Sequence, residues 1–429
     1  MSTEGGATAL ATHSSSESAA SADAPSPAAP PTAAPARTLA DHPVITTAAV
    51  TAAIVIAVMP SFMVGASGVL LREDLDFSAA GIGIAVSVFF GATAMTSIFG
   101  GRLAERIGAS RALVLVGLTS GAVLLGIGLA ARSLTHLLCL LAVAGVVNGV
   151  AQPASNLALA RNVGNHQALT FGIKQAGITL ATLVAGASVP LLGLTVGWRW
   201  SFIAAAAVAV LVAVLMPSGL SPARPRRTAV GRNRDGDATI PPLLALAAAA
   251  GAGMAAATAM ASFLVESAVD GGLAVGTAGW LQVAGSAAGM FSRVLAGWVA
   301  DRFHGVALML TAGMLLAGGL GYAMLAIGGP ALVPIGTVIA YACGWGWTGL
   351  LMFAVVRFNP NSPAAATGIV MTGSASGAAL GPFVFGQVVQ HTSFQTAWTM
   401  AACLAVLSTV LVSIARVWLR RDRTRREAV

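Results

Sequence analysis

The sequence predicts an all-α polytopic membrane protein, with twelve transmembrane helices arranged as two six-helix pseudo-repeats. Three observations carry that expectation. Of 429 residues, 56% are hydrophobic and only 9% are charged, and the mean hydropathy is +0.83, so the chain lacks the polar surface to solvate a globule of its size. Apolar runs long enough to cross a hydrocarbon core of about 30 Å, which takes about 20 helical residues, recur twelve times along the chain. A short charged segment between two of these runs, Gly101 to Gly108, also returns in shortened form as Gly297 to Arg302, 196 residues later.

Residues 1–42 are rich in Ser, Ala, Pro and Thr without an apolar period, and are expected to form a disordered cytoplasmic tail. The first long apolar run begins near Val44, so a cleaved secretory leader is not expected. Spans are expected at 45–70, 78–99, 110–131, 137–160, 168–193 and 198–216, forming an N-terminal bundle over 43–216. A cytoplasmic linker, 217–242, carries Arg224, Arg226, Arg227, Arg232 and Arg234. The second bundle, 243–418, has spans at 243–266, 276–299, 305–328, 331–356, 364–390 and 395–418. A basic cytoplasmic tail, 419–429, ends the chain.

Orientation follows from the basic residues near span ends. With the N-terminus inside, the inner loops hold Arg102, Arg106, Arg111, Arg161, the linker arginines, Arg302, Arg357 and the C-terminal cluster. The outer loops hold Arg72, Arg132 and Arg199 beside Glu73, Asp74, Asp76, Glu266 and Asp270. Both termini are therefore expected in the cytoplasm, with the protein in the cell (inner) membrane and surrounded by lipid. The net charge of +8 comes from arginines at span ends, with no aromatic-interleaved basic patch, so no nucleic-acid partner is expected.

The 196-residue offset also pairs Arg161 with Arg357, Asn165 with Asn361, Gly172 with Gly368, Ile173 with Ile369 and Gly177 with Gly373. One offset held across separate loops implies two parallel six-helix units, with a site between them near the midplane.

The segment Gly101-Arg102-Leu103-Ala104-Glu105-Arg106-Ile107-Gly108 resembles the signature G-x-L-A-D-R-x-G-R-R of the major facilitator superfamily. The copy at Gly297, Asp301 and Arg302 is similar to that family's weaker second repeat. Glu105 stands where the family has Asp, and Ala109 and Ser110 stand where it often has basic residues. The resemblance runs from about residue 43 onward and identifies no subfamily. It implies a secondary transporter working by alternating access as a functional monomer. It also implies that Gly101, Glu105, Arg106, Gly297, Asp301 and Arg302 form a cytoplasmic latch between the halves. Physically, Gly101 and Gly297 are expected to end membrane helices, with Glu105 and Asp301 accepting bonds from N–H groups at the next helix start. A solvated turn that only sets topology is the alternative.

The substrate path must come from polar residues inside spans, where a charge costs about 2.5–3.5 kcal/mol at a helix centre. Lys174, the sole lysine, and Arg293 lie at similar depth in the cytoplasmic half, with no carboxylate in mid-span to pair them. They either face a cavity that takes an anion or snorkel to the headgroups. Asn148, Gln152 and Asn156 form one helical stripe beside Pro153, and Gln282, Ser286, Gly289 and Arg293 form another. Such stripes line a wet cavity or join helices by hydrogen bonds, and the carboxamides favour the cavity. Substrate-binding residues are thus expected at Lys174, Arg293, Asn148, Gln152, Gln282 and Ser286.

The remaining motifs say less. Gly373 to Gly377, followed by Gly381 and Pro382, suits close helix packing. Gly177, Gly186 and Pro190 lack the central Gly-Pro pair of family antiporters. Trp345 and Trp347 either stack on a substrate or fill a helix interface, while Trp198 and Trp200 are expected as interfacial anchors. Cys139, Cys343 and Cys403 have no ligand spacing and are expected as small buried residues. The six histidines form no triad or cluster, so no enzyme activity, metal or cofactor is expected.

The leading expectation is a carrier of a small organic anion. The alternative is an efflux carrier for a neutral or amphiphilic compound, with a cavity lined by Phe62, Met63, Trp345 and Met352. A non-transporting receptor is the remote one. Proton coupling stays open, through the substrate or through Glu266.

Overall fold

The structure is a computed structural model that describes residues 43–159, 167–217, 239–303, 305–360 and 362–427. The N-terminal tail, most of the linker, Arg161 and Asn165 lie outside the described residues. The described chain is built from α1 (Pro43–Ala66), α2 (Gly68–Leu75), α3 (Ala79–Ile107), α4 (Ala109–Ala130), α5 (Leu134–Leu159), α6 (Gln167–Ser188) and α7 (Trp198–Val214). It continues with α8 (Ile240–Asp270), α9 (Val275–Arg302), α10 (Ala307–Ile327), α11 (Leu332–Ile339), α12 (Thr348–Phe358), α13 (Pro363–His391) and α14 (Phe394–Glu427). Eleven stretches are long and apolar enough to span a membrane, with α11 and α12 counted together as Leu332–Phe358. The 17-residue α7 is shorter and equally apolar, and it completes the expected twelve.

The repeat appears directly in the packing. Helix α3 lies against α13, and α6 lies against α9. These are the second and eleventh spans, and the fifth and eighth, so exchanging the halves turns one contact into the other. Helix α1 meets α8, the first span of each half. Within the halves, α4·α7 matches α10·α14, and α1·α6 matches α8·α13. The two halves therefore share a seam made of α3, α6, α9 and α13, with α1 and α8 at its middle.

Small residues let these helices approach. On α13, β-carbons at Gly373, Gly377 and Gly381 would collide with the backbone of Ala247, Gly251 and Ala255 on α8. The four-residue step on both helices keeps the small residues in register, as in membrane helix pairs that depend on close backbone contact.

Because the span number is even, α1 begins and α14 finishes at one end of the bundle, the terminal end. The opposite, far end is sealed across the halves. There Arg72 of α2 pairs with Glu266 of α8, and Ser78 Oγ donates to Gln390 Oε1 at 3.2 Å. The backbone at Ser262 also lies against Gly65.

Three expectations need correction. Gly101 and Gly297 do not end helices: α3 runs on to Ile107 and α9 to Arg302. The turn falls at Gly108, whose φ of +87° suits glycine. The close backbone approach belongs to Gly100, where a β-carbon would sit 2.4 Å from Gly149 O, whereas at Gly101 the nearest atom is 3.7 Å away. Cys139 and Cys403 are exposed on the outer surface of the bundle, which in a bilayer is tolerable for an apolar thiol. Trp198 is buried against Phe202, and only Trp200 of that pair faces outward.

Gly100→Ala should therefore lower stability by about 1–3 kcal/mol through overpacking, while Gly101→Ala should change it by less than about 0.5 kcal/mol. The thermal midpoints of the two purified variants in detergent check this contrast, and equal shifts would refute it.

Candidate functional site

The polar stripe of α9 is the centre of the seam. Steps of four, three and four residues place Gln282, Ser286, Gly289 and Arg293 along one helix face, and that face is turned towards α6. Gln282 Nε2 donates to Thr182 O at 3.1 Å, and Ser286 Oγ lies 2.9 Å from Thr182 Oγ1. At Gly289, a β-carbon would press on Tyr341 O and Thr179 Cγ2. Arg293 Nη1 donates to Gln175 O of α6, and Nη2 donates to Trp345 O at 3.0 Å. Its guanidinium carbon also stands 5.0 Å over the Trp345 ring, a cation–π contact.

A wide helical turn at Ala340–Gly344 separates α11 from α12 and explains the carbonyl bound by Arg293. Such a turn breaks the regular hydrogen-bond ladder and leaves backbone oxygens for side chains. Ser292 Oγ takes Ala342 O at 2.5 Å, Trp347 Nε1 takes Gly344 O at 2.8 Å, and Arg293 takes Trp345 O. A second bond crosses the halves beside it, from Gln175 Nε2 to Thr348 Oγ1 at 3.3 Å.

Lys174, next to Gln175 in the chain, turns to α5 instead, where its Nζ donates to Asn156 Oδ1 at 2.6 Å. The two cations therefore deal differently with α6: Lys174 leaves it for α5, whereas Arg293 reaches it from α9. Both are nearly fully buried, so snorkelling is not their arrangement here. Among the described residues neither meets a carboxylate, since the ion pairs placed there are Arg72–Glu266 and Arg199–Asp74.

The α5 stripe divides. Asn148 is buried and donates to Thr93 Oγ1 of α3 at 3.1 Å, which makes it an interhelical joint within one half. Gln152 is half-buried, and Asn156 is exposed and holds Lys174. The residues missing from the sequence reading are Thr93, Gln175, Thr182 and Thr348. Gln175, Thr179 and Thr182 form their own helical stripe on α6, and a search for a partner to the α9 stripe could have found them.

Several buried polar atoms near the seam have no hydrogen-bond partner among the described residues: Gln282 Oε1, Arg293 Nε and Trp345 Nε1. Two of these three can donate. Trp345 also meets Phe62 of α1 edge-on at 5.6 Å, and Phe62 meets Phe90 of α3 at 6.3 Å. Phe62, Met63 and Trp345 are fully buried in the core, with Met352 half-buried.

At the terminal end, Glu105, Arg106 and Arg302 are exposed, Asp301 and Gly101 are half-buried, and Gly297 is buried. Glu105 does not bond to the start of α4, whose first turn closes by backbone contacts such as Ala112 N to Gly108 O at 3.0 Å. Its expected capping role is thus not realised in this conformation.

Two pseudo-equivalent bundles meeting at a polar seam inside a membrane-spanning shell define a membrane carrier. A family model described as Major Facilitator Superfamily matches residues 48–361 and 247–429. The chain belongs to that superfamily, and is a transporter rather than an enzyme. Among solved structures, it is similar to a bacterial homolog of the human lysosomal transporter Spinster, in an inward-facing and occupied conformation. The TM-score is 0.62 at 18% identity, over 88% of this chain and 96% of that one. The chain is also 32% identical to the probable anion transporter 3, chloroplastic, of Arabidopsis thaliana. That match covers 153 residues, or 35% of this chain and 30% of the relative.

Asn148→Ala should lower stability by about 1–2 kcal/mol, because it removes the bond to Thr93 and opens a small cavity, while leaving ligand affinity unchanged. Thermal unfolding and ligand titration on the same variant separate the two effects. A loss of affinity without loss of stability would return Asn148 to the substrate path.

Proposed function

We propose that the protein is a secondary transporter that moves a small organic anion, of carboxylate type, across the membrane by alternating access. The observation that carries this reading is the state of its two buried cations. Among the described residues, Lys174 and Arg293 are hydrogen-bonded by neutral oxygens of Asn156, Gln175 and Trp345. A buried cation without a counterion is costly, and a substrate carboxylate supplies the missing charge through strong charge-assisted bonds. The donors Arg293 Nε and Trp345 Nε1, without partners among the described residues, add acceptor-seeking capacity at the same place. The plant relative, a probable anion transporter, supports an anion.

In this reading, Gln282, Ser286 and Arg293 zip α9 to α6 while the site is empty, and the anion replaces the carbonyl partner of Arg293 when the seam parts. Gln152 faces the path from α5, and Asn148 supports it. Glu105, Arg106, Asp301 and Arg302 form the latch on the cytoplasmic face, pivoting near Gly101 and Gly297. The terminal end is cytoplasmic, the protein sits in the cell membrane, and one chain is the working unit.

An efflux carrier for an amphiphilic compound is the second reading. It rests on the Phe62, Phe90 and Trp345 cluster and on an apolar cavity of about 210 Å³ lined by Ala255, Ala259, Gly381, Phe385 and Met400.

A thermal-shift screen of the purified protein against carboxylates and hydrophobic drugs tests both readings, since a ligand at 100 times its Kd stabilises by about 2.7 kcal/mol. A carboxylate should stabilise the native protein, with the effect reduced at least tenfold in affinity in Lys174→Gln and Arg293→Gln. Normal carboxylate binding and transport by both variants would sink the anion reading, and stabilisation by drugs alone would favour the second. In liposomes with the carboxylate so found, Asp301→Asn and Glu105→Gln should slow uptake without lowering expression. Unchanged rates in both would remove the latch.

A further inference from the structure

The far-end pair between Arg72 and Glu266 joins residues 194 positions apart, one from each half, and its two members are unequally placed. The Arg72 side chain is 35% exposed on α2, the short helix at the rim, whereas that of Glu266 is 5% exposed on α8. Arg72 also donates from Nε to Phe77 O at 3.2 Å, so it belongs mechanically to the loop that leads into α3. Glu266 uses one oxygen only. Its Oε1 accepts from Arg72, and Oε2 is buried with no hydrogen-bond partner among the described residues. At the start of α2, a β-carbon on Gly68 would come within 3.8 Å of Oε2, so the orphaned oxygen faces the boundary between the halves.

We propose that Glu266 Oε2 is a proton-binding site, filled when the far end opens and emptied when it seals. This rests on the alternating-access reading above. Opening must draw α2 away from α8, because the paired residues belong to different halves. Arg72 then passes into water, while Glu266 stays among the packed residues of α8, where Val265 and Ala268 are buried against Ala278 of α9. An ionised carboxylate stripped of its partner in such surroundings is strongly unfavourable. A proton from far-side water adds to Oε2, the bond to the Arg72 guanidinium breaks, and Glu266 becomes a neutral acid. Arg72 keeps its own charge throughout. Sealing reverses each step and returns the proton. The open form thus holds one proton more than the sealed form, so acid favours opening.

The other charged groups at this end do not replace Glu266: Arg132 and His136 lie at the turn from α4 into α5, and α5 is not one of the main helices packed on α8. Burial lowers the pKa of Arg72, with Asp270 and Glu73 opposing that shift, so both acids favour the charged guanidinium. Asp74 is held by Arg199 at 2.8 Å, and Asp76 is exposed at the end of α2. Helix α1 has no charged residue, and the charges of α3 and α9 lie in their halves towards the terminal end. On α13, His391 is exposed in the last turn, and α14 has no charge before Arg416.

Spin labels on Thr135→Cys and Thr392→Cys, one in each half at the far end and both exposed, report opening without any substrate. The labels are placed on the full chain lacking Cys139, Cys343 and Cys403, reconstituted in lipid. Between pH 8 and pH 5 the ratio of long to short distances should rise, approaching tenfold per pH unit where Glu266 titrates. Glu266→Gln should hold that ratio constant within about twofold, and His136→Gln and His391→Gln should each leave the response intact. A pH-independent ratio in the protein with Glu266 present overturns the proposal even if Glu266→Gln fails to fold, as does a response that survives Glu266→Gln. Labels that never separate overturn it together with alternating access. Carboxylate transport is not read in this experiment, so failure of the anion reading stays distinguishable.

Discussion

The constraint on which the structure depends is the absence of water in the hydrocarbon core: a polar group carried into the membrane must find its partner in the protein. Most spans meet it trivially, since their side chains are apolar and their backbones satisfied. Helix α9 does not, because it carries Gln282, Ser286 and Arg293 on one face. Those groups find Thr182, Gln175 and the broken turn before Trp345. One of the two main contacts between the halves, α6 with α9, is therefore tied by polar groups. Hydrogen bonds can be exchanged for bonds to a ligand or to water at little net cost, whereas a tightly interlocked apolar interface would have to be emptied.

Close backbone packing holds the halves internally and also recurs between them, where β-carbons at Gly65 and Gly83 would collide with Ser262 and Pro382. Gly373, Gly377 and Gly381 lock α13 to α8, and Gly145 and Gly149 lock α5 to α3, by backbone approach that no side chain could enter. These contacts make each half rigid. A rigid pair of bundles joined by exchangeable bonds at the centre, and at the far rim by the Arg72–Glu266 pair, the Ser78–Gln390 bond and the Gly65–Ser262 approach, is suited to rocking about the seam.

Much of this was legible in the sequence, for physical reasons. The spans were readable because the bilayer demands length and apolarity at every crossing, and even α7, at 17 residues, is apolar beyond Ser201. The repeat was readable because one offset linked loops in both halves. The α9 stripe was readable from helical periodicity, and it proved to be the surface that meets the other half. Its partner was not, because threonines in an apolar span are usually absorbed by their own helix carbonyls, as Thr258 and Thr311 are here. The wide turn at Ala340–Gly344 was also hidden, since no proline or charged residue marks it. At the signature, spacing pointed to Gly101, but the helix crossing falls one residue earlier, at Gly100, and only geometry could tell them apart.

The central claim is that the α6–α9 seam opens to each side of the membrane in turn. Its most direct measurement is labelling of Ser286→Cys by a membrane-impermeant thiol reagent, in a chain lacking Cys139, Cys343 and Cys403, applied separately to each face of sealed vesicles. Modification from both faces is the predicted result, because Ser286 sits in the seam near the middle of α9. Protection from both faces, or access from one face only under all conditions, would contradict it.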